Sequence, residues 1–258
     1  MQEPIFRFAP SPNGPLHLGH AYSALFGQAR AQQAGGRYLL RIEDIDTLRC
    51  REEFVSGAEE ILHWLGLRFD GPVRRQSQHM QDYARALSQL KSEGLVYPCW
   101  CTRSGLASER RDPDGAPVHE GSCAEGDGPF ALRLDMKKAS RLVRFREKGE
   151  WVEADPSVWG DVVIARKDIG TSYHLAVVVD DGLQGVSHVT RGMDLYAATS
   201  LHRLLQQLLG LPVPEYHHHE LIRDVAGRKL SKSDGDKSLA ALRAEGVTAP
   251  EIRQALGF

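Results

Sequence analysis

The stretch Ser11–His20, SPNGPLHLGH, decides the fold prediction because it places glycines and histidines directly before a helical pattern. The preceding IFRFA (5–9) predicts a short strand, and the following residues predict a helix from about His20 to Ala34. A helix N-terminus after a glycine-containing turn favours negative charge, since its backbone N–H groups and its dipole both attract anions. This strand–turn–helix pattern therefore predicts an anion site.

The side chains of this stretch suit a phosphate. Gly14 and Gly19 would allow a ligand to approach the backbone closely. His17 and His20 are three positions apart across a helix start, so they would lie near each other and donate hydrogen bonds to phosphate oxygens. A proline-rich surface turn with two exposed histidines is the alternative interpretation.

Composition limits the class of protein. The 258 residues carry a formal net charge of -2 and are 41% hydrophobic, which is ordinary for a globular protein. Any RNA-binding surface must therefore be local. No apolar run has the length of a membrane span, and no basic-then-apolar leader begins the chain. We expect a cytoplasmic protein that does not bind membranes.

Strand and helix patterns alternate over the first part of the chain, which favours an α/β fold with a parallel sheet. RYLLRIED (37–44) predicts a strand, and residues 51–65 and 79–93 predict amphipathic helices. From residue 97 to 170 the pattern changes to Gly, Pro, Asp and Cys with short strand-like pieces, which indicates a mainly β insertion.

The last third returns to the first pattern. YHLAVVVDD (173–181) is an apolar run typical of a buried parallel strand, and residues 195–209 predict a leucine-rich helix. The histidines at 217–219 favour a strand rather than a metal site, because side chains alternate along a strand. A short helical tail follows.

A polar loop, GRKLSKSDG (227–235), lies near the C-terminus. Its lysines Lys229 and Lys232 are movable point charges of the kind that contact polyphosphates. Such a loop can close over a triphosphate and stabilise the charge that develops during transfer. An ordinary solvated loop is the alternative interpretation.

Together, HLGH and KLSKS resemble the two signatures of class I aminoacyl-tRNA synthetases, His-Ile-Gly-His and Lys-Met-Ser-Lys-Ser. RFAPSP, RIEDID and VTRG are similar to the glutamyl/glutaminyl branch, over residues 7–233. The resemblance implies a Rossmann-like catalytic domain in two halves, 1–96 and 171–235. It also implies a zinc-containing, acceptor-binding-like insertion at 97–170 and a helical remnant of the stem-contact region at 236–258.

The resemblance implies a site for ATP and for L-glutamate. The catalytic residues would be His17, His20, Lys229 and Lys232. ATP, with Mg²⁺, would contact Pro10, Gly19, His20 and Lys232. Glutamate would contact Arg7, Phe8, Ala9, Pro10, Ser11, Glu43, Tyr173 and Arg191; arginine suits its carboxylates and Glu43 its ammonium group. His174 stands where the family more often has asparagine.

Cysteines and a histidine in the insertion have the spacing of a metal site. Cys99-x-Cys101 and His119-x3-Cys123 supply three thiolates and an imidazole, which form a closed tetrahedral set for one structural Zn²⁺. A metal would order a loop that has little core of its own. Three reduced, buried thiols with His119 at the surface are the alternative.

A basic run in the insertion would suit contacts with an RNA phosphate backbone. Its residues are Arg133, Lys137, Lys138, Arg141, Arg144, Arg146 and Lys148. In the related enzymes the insertion meets the tRNA acceptor end. A solvated charged face is the alternative.

The chain ends 25 residues after Ser233, at residue 258, so we expect no anticodon-binding domain. This is similar to stand-alone glutamyl-type members that transfer glutamate to queuosine in the anticodon loop of tRNA(Asp). We expect a monomer with this activity. The alternatives are a truncated synthetase that charges a tRNA 3′ end, a ligase that acylates a small amine, and a non-catalytic synthetase-like protein that binds RNA or nucleotides.

Overall fold

The computed structural model describes residues 3–102, 108–121, 123, 125–222 and 237–258. Their strands, in chain order, are β1 (Ile5–Phe8), β2 (Arg37–Ile42), β3 (Arg74–Arg75), β4 (Val96–Cys99), β5 (Ala131–Leu134), β6 (Val143–Glu147), β7 (Glu150–Ala154), β8 (Val163–Ala165), β9 (His188–Gly192) and β10 (Glu215–His219). Their α-helices are α1 (Leu18–Gln33), α2 (Glu52–Trp64), α3 (Met80–Ser92), α4 (Met136–Ala139), α5 (Tyr173–Leu183), α6 (Ala198–Leu208), α7 (Leu239–Ala244) and α8 (Ala249–Ala255).

The chain folds into two compact units, each built from separate segments. The first unit comprises Met1–Gln78, Val186–Leu195 and Tyr216–Phe258, and the second comprises His79–Gly185 and Tyr196–Glu215. The sequence suggests a different division, at residues 97 and 170. That division separates a catalytic domain from an insertion by their expected roles, and it stays a prediction.

The first unit contains a parallel sheet, as the alternating pattern predicts. Its strands follow the order β3-β2-β1-β9-β10. β1 pairs in parallel with β2 and with β9, and β2 pairs in parallel with β3. Parallel strands end at a common edge, where open α/β sheets bind ligands. The turn after β1 and the acidic residue Glu43 after β2 lie at this edge.

Helices cover this sheet with their apolar faces. Leu25 of α1 and Leu62 of α2 are buried in one core with Phe6 of β1 and Leu40 of β2. The helix predicted from about His20 begins two positions earlier, at Leu18, because His17 supplies the N-cap. The core therefore fixes the strands whose carboxyl ends carry the candidate site.

The second unit contains antiparallel structure. β4, β5 and β8 form a sheet in the order β4-β5-β8. β6 and β7 form a hairpin whose register runs from Val143 opposite Ala154 to Glu147 opposite Glu150. The prediction of a mainly β insertion is confirmed for these pieces.

One strand prediction is wrong. The apolar run at 173–181 belongs to a helix, α5, which begins after Ser172. The Ser172 side chain accepts a hydrogen bond from the Leu175 N–H and caps this helix. Residues 175–181 are all buried, so this part of the helix has no exposed face. Without a polar face, periodicity does not separate a buried helix from a buried strand.

The C-terminal part agrees with expectation where it is described. The histidines at 217–219 lie on β10, which confirms the strand, and α7 and α8 form the short helical tail. The KLSKS loop lies within residues 223–236, outside the described residues. Among the described helices, none has both the length and the apolar character required to cross a bilayer.

Candidate functional site

Two histidines form the start of α1 and contact each other there. The ring centroids of His17 and His20 lie 3.9 Å apart, which confirms their predicted proximity. The Gly19 N–H donates to Nδ1 of His17 over 3.1 Å, and the His17 N–H donates to Nδ1 of His20 over 3.2 Å. A neutral imidazole that accepts at Nδ1 carries its hydrogen on Nε2. Each ring therefore has the tautomer with an Nε2–H donor, which suits an oxyanion such as a phosphate.

Gly19 makes room for this arrangement. A Cβ at position 19 would lie 3.0 Å from Cε1 of His17, closer than side chains normally approach. The glycine therefore allows the His17 ring to fold over the first turn of the helix, in addition to any approach by a ligand.

Arginine side chains gather on one face of the first unit's sheet. Arg7, Arg41 and Arg191 are 5%, 0% and 5% exposed. Arg7 lies opposite Leu39 of β2 and opposite Val189 of β9. Residues paired in register share a face, as do residues two positions apart on a strand. Arg41 and Arg191 therefore share the face of Arg7, which brings three buried guanidinium groups to one side of the sheet.

Neutral groups hold two of these arginines. Nη1 of Arg7 donates to the Thr190 carbonyl oxygen over 3.2 Å. Nε of Arg191 donates to Nε2 of His218 over 3.1 Å, and its guanidinium carbon lies 5.2 Å from the centre of the Tyr216 ring. These contacts orient the two guanidinium groups, whose planar forks suit carboxylates.

Glu43 lies at the end of β2, where the sequence predicts it. Oε1 of Glu43 lies 3.1 Å from Nη2 of Arg41, and both side chains are buried. The Glu43 N–H donates to the Pro10 carbonyl oxygen over 3.0 Å, which ties the end of β2 to the turn after β1. A buried carboxylate beside this turn can pair with an ammonium group.

The turn itself offers mostly main-chain atoms. The Phe8 side chain packs in the core, so any ligand contact of Phe8 would come from its backbone. Pro10 is buried, whereas Ala9 and Ser11 are half-buried. The Asn13 N–H donates to the Ser11 carbonyl oxygen over 2.9 Å and closes the turn.

Other predicted contacts lie elsewhere. Tyr173 is in the second unit, at the first position of α5, where its ring centroid lies 5.8 Å from that of His202. Nδ1 of the neighbouring His174 lies 3.0 Å from Nε2 of His202. Lys229 and Lys232 lie outside the described residues.

The second unit brings together all four predicted metal ligands. One ligand atom from each of Cys99, Cys101, His119 and Cys123 lies within 4.8 Å of the others. Sγ of Cys99 is 3.6 Å from Nε2 of His119. Ligands of a tetrahedral zinc ion with bonds of about 2.3 Å are spaced by about 3.8 Å, so the cluster fits such an ion. His119 is buried, against the alternative that places it at the surface.

A hydrogen-bond network supports the His119 ring. Its Nδ1 lies 3.0 Å from the Tyr97 hydroxyl, which donates to Oδ2 of Asp161 over 2.7 Å. Asp161 also accepts from the N–H of Gly121 and of Met136, over 2.7 and 2.8 Å. Because Nδ1 faces this network, Nε2 faces the cysteines, which is the orientation that a metal ligand requires.

Burial and charge around the cluster favour a neutral imidazole at His119. Burial lowers the pKa of His119, the nearby Arg133 lowers it further, and Asp161 partly opposes them. Nε of Arg133 donates to Sγ of Cys99 over 3.2 Å. Burial raises the pKa of Cys101 to about 11, so a metal ion is the partner that would make this thiolate favourable at neutral pH.

The family follows from the match of nearly the whole chain. Residues 5–256 match the family described as tRNA synthetases class I (E and Q), catalytic domain. The chain belongs to this family. The expected class I synthetase fold, and the expectation of a ligase of the aminoacyl-tRNA synthetase type, are both confirmed.

Relatives narrow the resemblance within the class I family. The chain is 48% identical to the glutamyl-Q tRNA(Asp) synthetase of Rhodobacter capsulatus, over 98% of this chain and 100% of that protein. It is 43% identical to the protein of the same name from Thiobacillus denitrificans, over 88% of this chain and 77% of that protein.

A solved structure has a fold similar to that of this chain. The glutamate tRNA ligase of Elizabethkingia meningosepticum, solved with its amino acid, is 29% identical with a TM-score of 0.75. The match covers 91% of this chain and 53% of that one, so this chain spans about half of that ligase.

Sequence patterns do not identify several residues of these sites in this class I synthetase. Arg41 is one arginine of an apolar strand, and only the fold shows that its side chain is fully buried beside Glu43. Tyr97 and Asp161 lie far apart along the chain, and only the fold brings them to His119. The position of Tyr97, two residues before Cys99, is the one available signal.

Proposed function

We propose that this chain activates L-glutamate with ATP and transfers the glutamyl group to queuosine in the anticodon loop of tRNA(Asp). The observation that carries the first half is the arginine-lined face beside Glu43. Glutamate has two carboxylates and one ammonium group, and this face offers buried guanidinium groups and a buried carboxylate.

In this proposal Arg7 and Arg191 bind the carboxylates of glutamate and Glu43 binds its ammonium group. The backbone of Phe8 and Ala9 lines the turn, with Pro10, and Ser11 and Tyr173 add hydrogen bonds. Binding energy from the side-chain carboxylate holds the α-carboxylate in a fixed position, which favours attack by positioning.

ATP would lie against the start of α1. Nε2–H donors of His17 and His20 would contact phosphate oxygens, with Pro10 and Gly19 beside the nucleotide and the positive end of the helix adding to the attraction. Lys229 and Lys232 would contact the triphosphate from the KLSKS loop, and ATP would bring Mg²⁺. A glutamate α-carboxylate oxygen then attacks the α-phosphorus, and the bond to pyrophosphate breaks.

The second step is acyl transfer. The oxygen of a queuosine hydroxyl attacks the carbonyl carbon of the glutamyl-adenylate, AMP leaves with the bonding electron pair, and the hydroxyl proton passes to solvent. The names of the relatives from Rhodobacter capsulatus and Thiobacillus denitrificans support queuosine as the acceptor.

A structural Zn²⁺ completes the proposal. Cys99, Cys101, His119 and Cys123 would hold it, and it would stabilise the segments that carry them without taking part in the reaction. Because ATP and tRNA are cytoplasmic substrates, we place the activity in the cytoplasm, and we propose a monomer, which gel filtration tests.

Two assays test the proposal. ATP–pyrophosphate exchange without tRNA should depend on glutamate, and its absence would favour a non-catalytic binding protein. Labelled glutamate should then appear on tRNA(Asp) that contains queuosine and not on tRNA(Asp) that lacks it.

The 3′ end of tRNA(Glu) is a second candidate acceptor. The glutamate--tRNA ligase of Prochlorococcus marinus is 37% identical over 94% of this chain, although this chain covers 55% of that protein. Label on the 3′ end of tRNA(Glu) alone would replace the queuosine proposal with this one.

A further inference from the structure

The β6–β7 hairpin carries an exposed tryptophan beside two arginines. Trp151 is 61% exposed. The guanidinium carbons of Arg144 and Arg146 lie 5.3 and 5.7 Å from the centre of its ring. We call these three residues the arginine–tryptophan platform.

The platform faces away from the core of the second unit. Val143 and Phe145, which alternate with the arginines along β6, are 2% and 1% exposed, whereas Arg144 and Arg146 are exposed. Side chains alternate along a strand, so the arginines and Trp151 occupy the outer side of the hairpin. Trp151 is thus exposed even though both guanidinium groups lie near its ring.

Hydrogen bonds hold one side of the platform in place. Nε and Nη2 of Arg146 donate to the Gly149 carbonyl oxygen over 3.2 and 2.9 Å. Arg146 lies directly opposite Trp151 in the hairpin register. These hydrogen bonds hold the Arg146 guanidinium group beside the ring without a partner, which lowers the entropic cost of binding.

The charges on the hairpin indicate which form of RNA it can bind. Acidic Glu147, Glu150 and Glu153 share it with Arg144, Arg146 and Lys148, and Glu153 lies opposite Arg144. A duplex backbone requires a broader basic surface than this. An exposed tryptophan with adjacent guanidinium groups is suited instead to one unstacked base and the phosphate beside it.

We propose that the platform binds an unpaired nucleotide of the RNA substrate. One base stacks on Trp151, and Arg144 and Arg146 contact the flanking phosphate. This inference rests on the proposed function for the identity of the RNA, tRNA(Asp), but the platform lies in a different unit from the arginine-lined face.

The test compares full-length variants by fluorescence anisotropy with labelled tRNA(Asp) and with a labelled single-stranded oligouridylate. Trp151→Ala should weaken tRNA binding about 5- to 150-fold, the range expected from the loss of one base–aromatic stack. Trp151→Phe should recover part of the affinity. Arg144→Gln with Arg146→Gln should flatten the salt dependence, by about 0.7 in log–log slope for each phosphate that the variant no longer neutralises.

The matched control is Arg85→Gln, an exposed arginine on α3 that is ion-paired with Asp82. It removes one positive charge from the same unit and should leave affinity unchanged. Glutamate-dependent ATP–pyrophosphate exchange, measured without tRNA, should remain intact in every variant and so shows that each is folded. Tryptophan fluorescence adds a direct signal, because RNA should quench the wild type more than Trp151→Phe.

The outcomes separate this inference from the proposed function. Equal RNA affinity of wild type and Trp151→Ala would overturn the platform, even if glutamate transfer to tRNA(Asp) is observed. Absence of glutamate transfer together with a Trp151-dependent affinity for oligouridylate would overturn the proposed function and retain the platform. If Arg85→Gln lost as much affinity as the platform variants, the loss would be explained by net charge alone. That result would overturn the inference.

Discussion

The arginine-lined face and the Cys/His cluster both bury ionisable groups, but they hold them by different means. Arg7 and Arg191 lie on neighbouring paired strands, so the sheet sets their positions. Cys101 and Cys123 lie outside helices and strands, and the side chain of Asp161 holds the surrounding segments together. Changes at the arginine-lined face should therefore impair glutamate use, whereas changes at the Cys/His cluster should impair metal binding and stability.

The largest effect should come from the cluster. Cys99→Ser removes a ligand at the end of β4, so bound zinc should fall from about one ion per chain to nearly none. The melting temperature should fall as well. Metal analysis and thermal unfolding measure both, with Cys50→Ser as the matched control, since Cys50 lies outside the cluster. Folded protein that contains no metal in the wild type would contradict the zinc proposal.

The next effect separates the face from the cluster. Arg191→Lys retains the charge but loses the planar fork, so kcat/KM for glutamate in pyrophosphate exchange should fall about 30-fold or more. Zinc content and melting temperature should change little. Arg49→Lys is the control, because its side chain is 65% exposed in an ion pair with Asp46. An unchanged kcat/KM in Arg191→Lys would remove Arg191 from the glutamate site.

A smaller effect tests the network behind the cluster. Asp161→Asn should weaken zinc binding about 10- to 100-fold, the range typical of groups that orient a ligating histidine. Competition with a chelator measures this affinity. Asp168→Asn changes an exposed carboxylate that pairs with Arg166 and should leave zinc binding unaltered. Equal zinc affinity in both variants would show that Asp161 does not orient His119.

The smallest effect concerns alkaline pH in the unit of the arginine-lined face. Burial raises the pKa of Tyr38 above its ordinary value of 10.0, although Arg7 partly opposes this. Above about pH 10 the unfolded chain therefore loses this proton before the folded chain does, and stability falls by about 1.4 kcal/mol per pH unit.

Tyr38→Phe should remove this share of the alkaline slope. It should also cost about 1 kcal/mol at neutral pH, because the hydroxyl no longer donates to the Ala24 carbonyl oxygen. Urea unfolding at about pH 9 and about pH 11 compares the two slopes. Equal slopes in wild type and variant would show that the Tyr38 proton does not contribute.

Local patterns in the sequence predicted those features of the sites that depend on residues close together in the chain. His17 and His20 are three positions apart at a helix start, so their contact follows from helix geometry. The Cys/His cluster could be predicted from the spacing of its residues and from the coordination chemistry of zinc. By contrast, α5 has buried residues on all sides, so its helical period left no polar face to detect.

Long-range contacts could not be predicted from such signals. Arg41 has no local pattern that distinguishes a buried ion pair from an exposed cation. Asp161 reaches Tyr97 across 64 residues, a separation that spacing does not reveal. Sequence therefore identified the members of the Cys/His cluster and left the groups around them to the fold.

The contacts of Asp161 also have a consequence for the order of folding. This carboxylate binds groups that precede it by 64, 40 and 25 residues, at Tyr97, Gly121 and Met136. Contacts between distant residues close large loops and form late. During synthesis all four cysteine and histidine ligands leave the ribosome before Asp161 does. The nascent chain therefore exposes its thiols for an interval in which the His119 ring lacks the group that orients it.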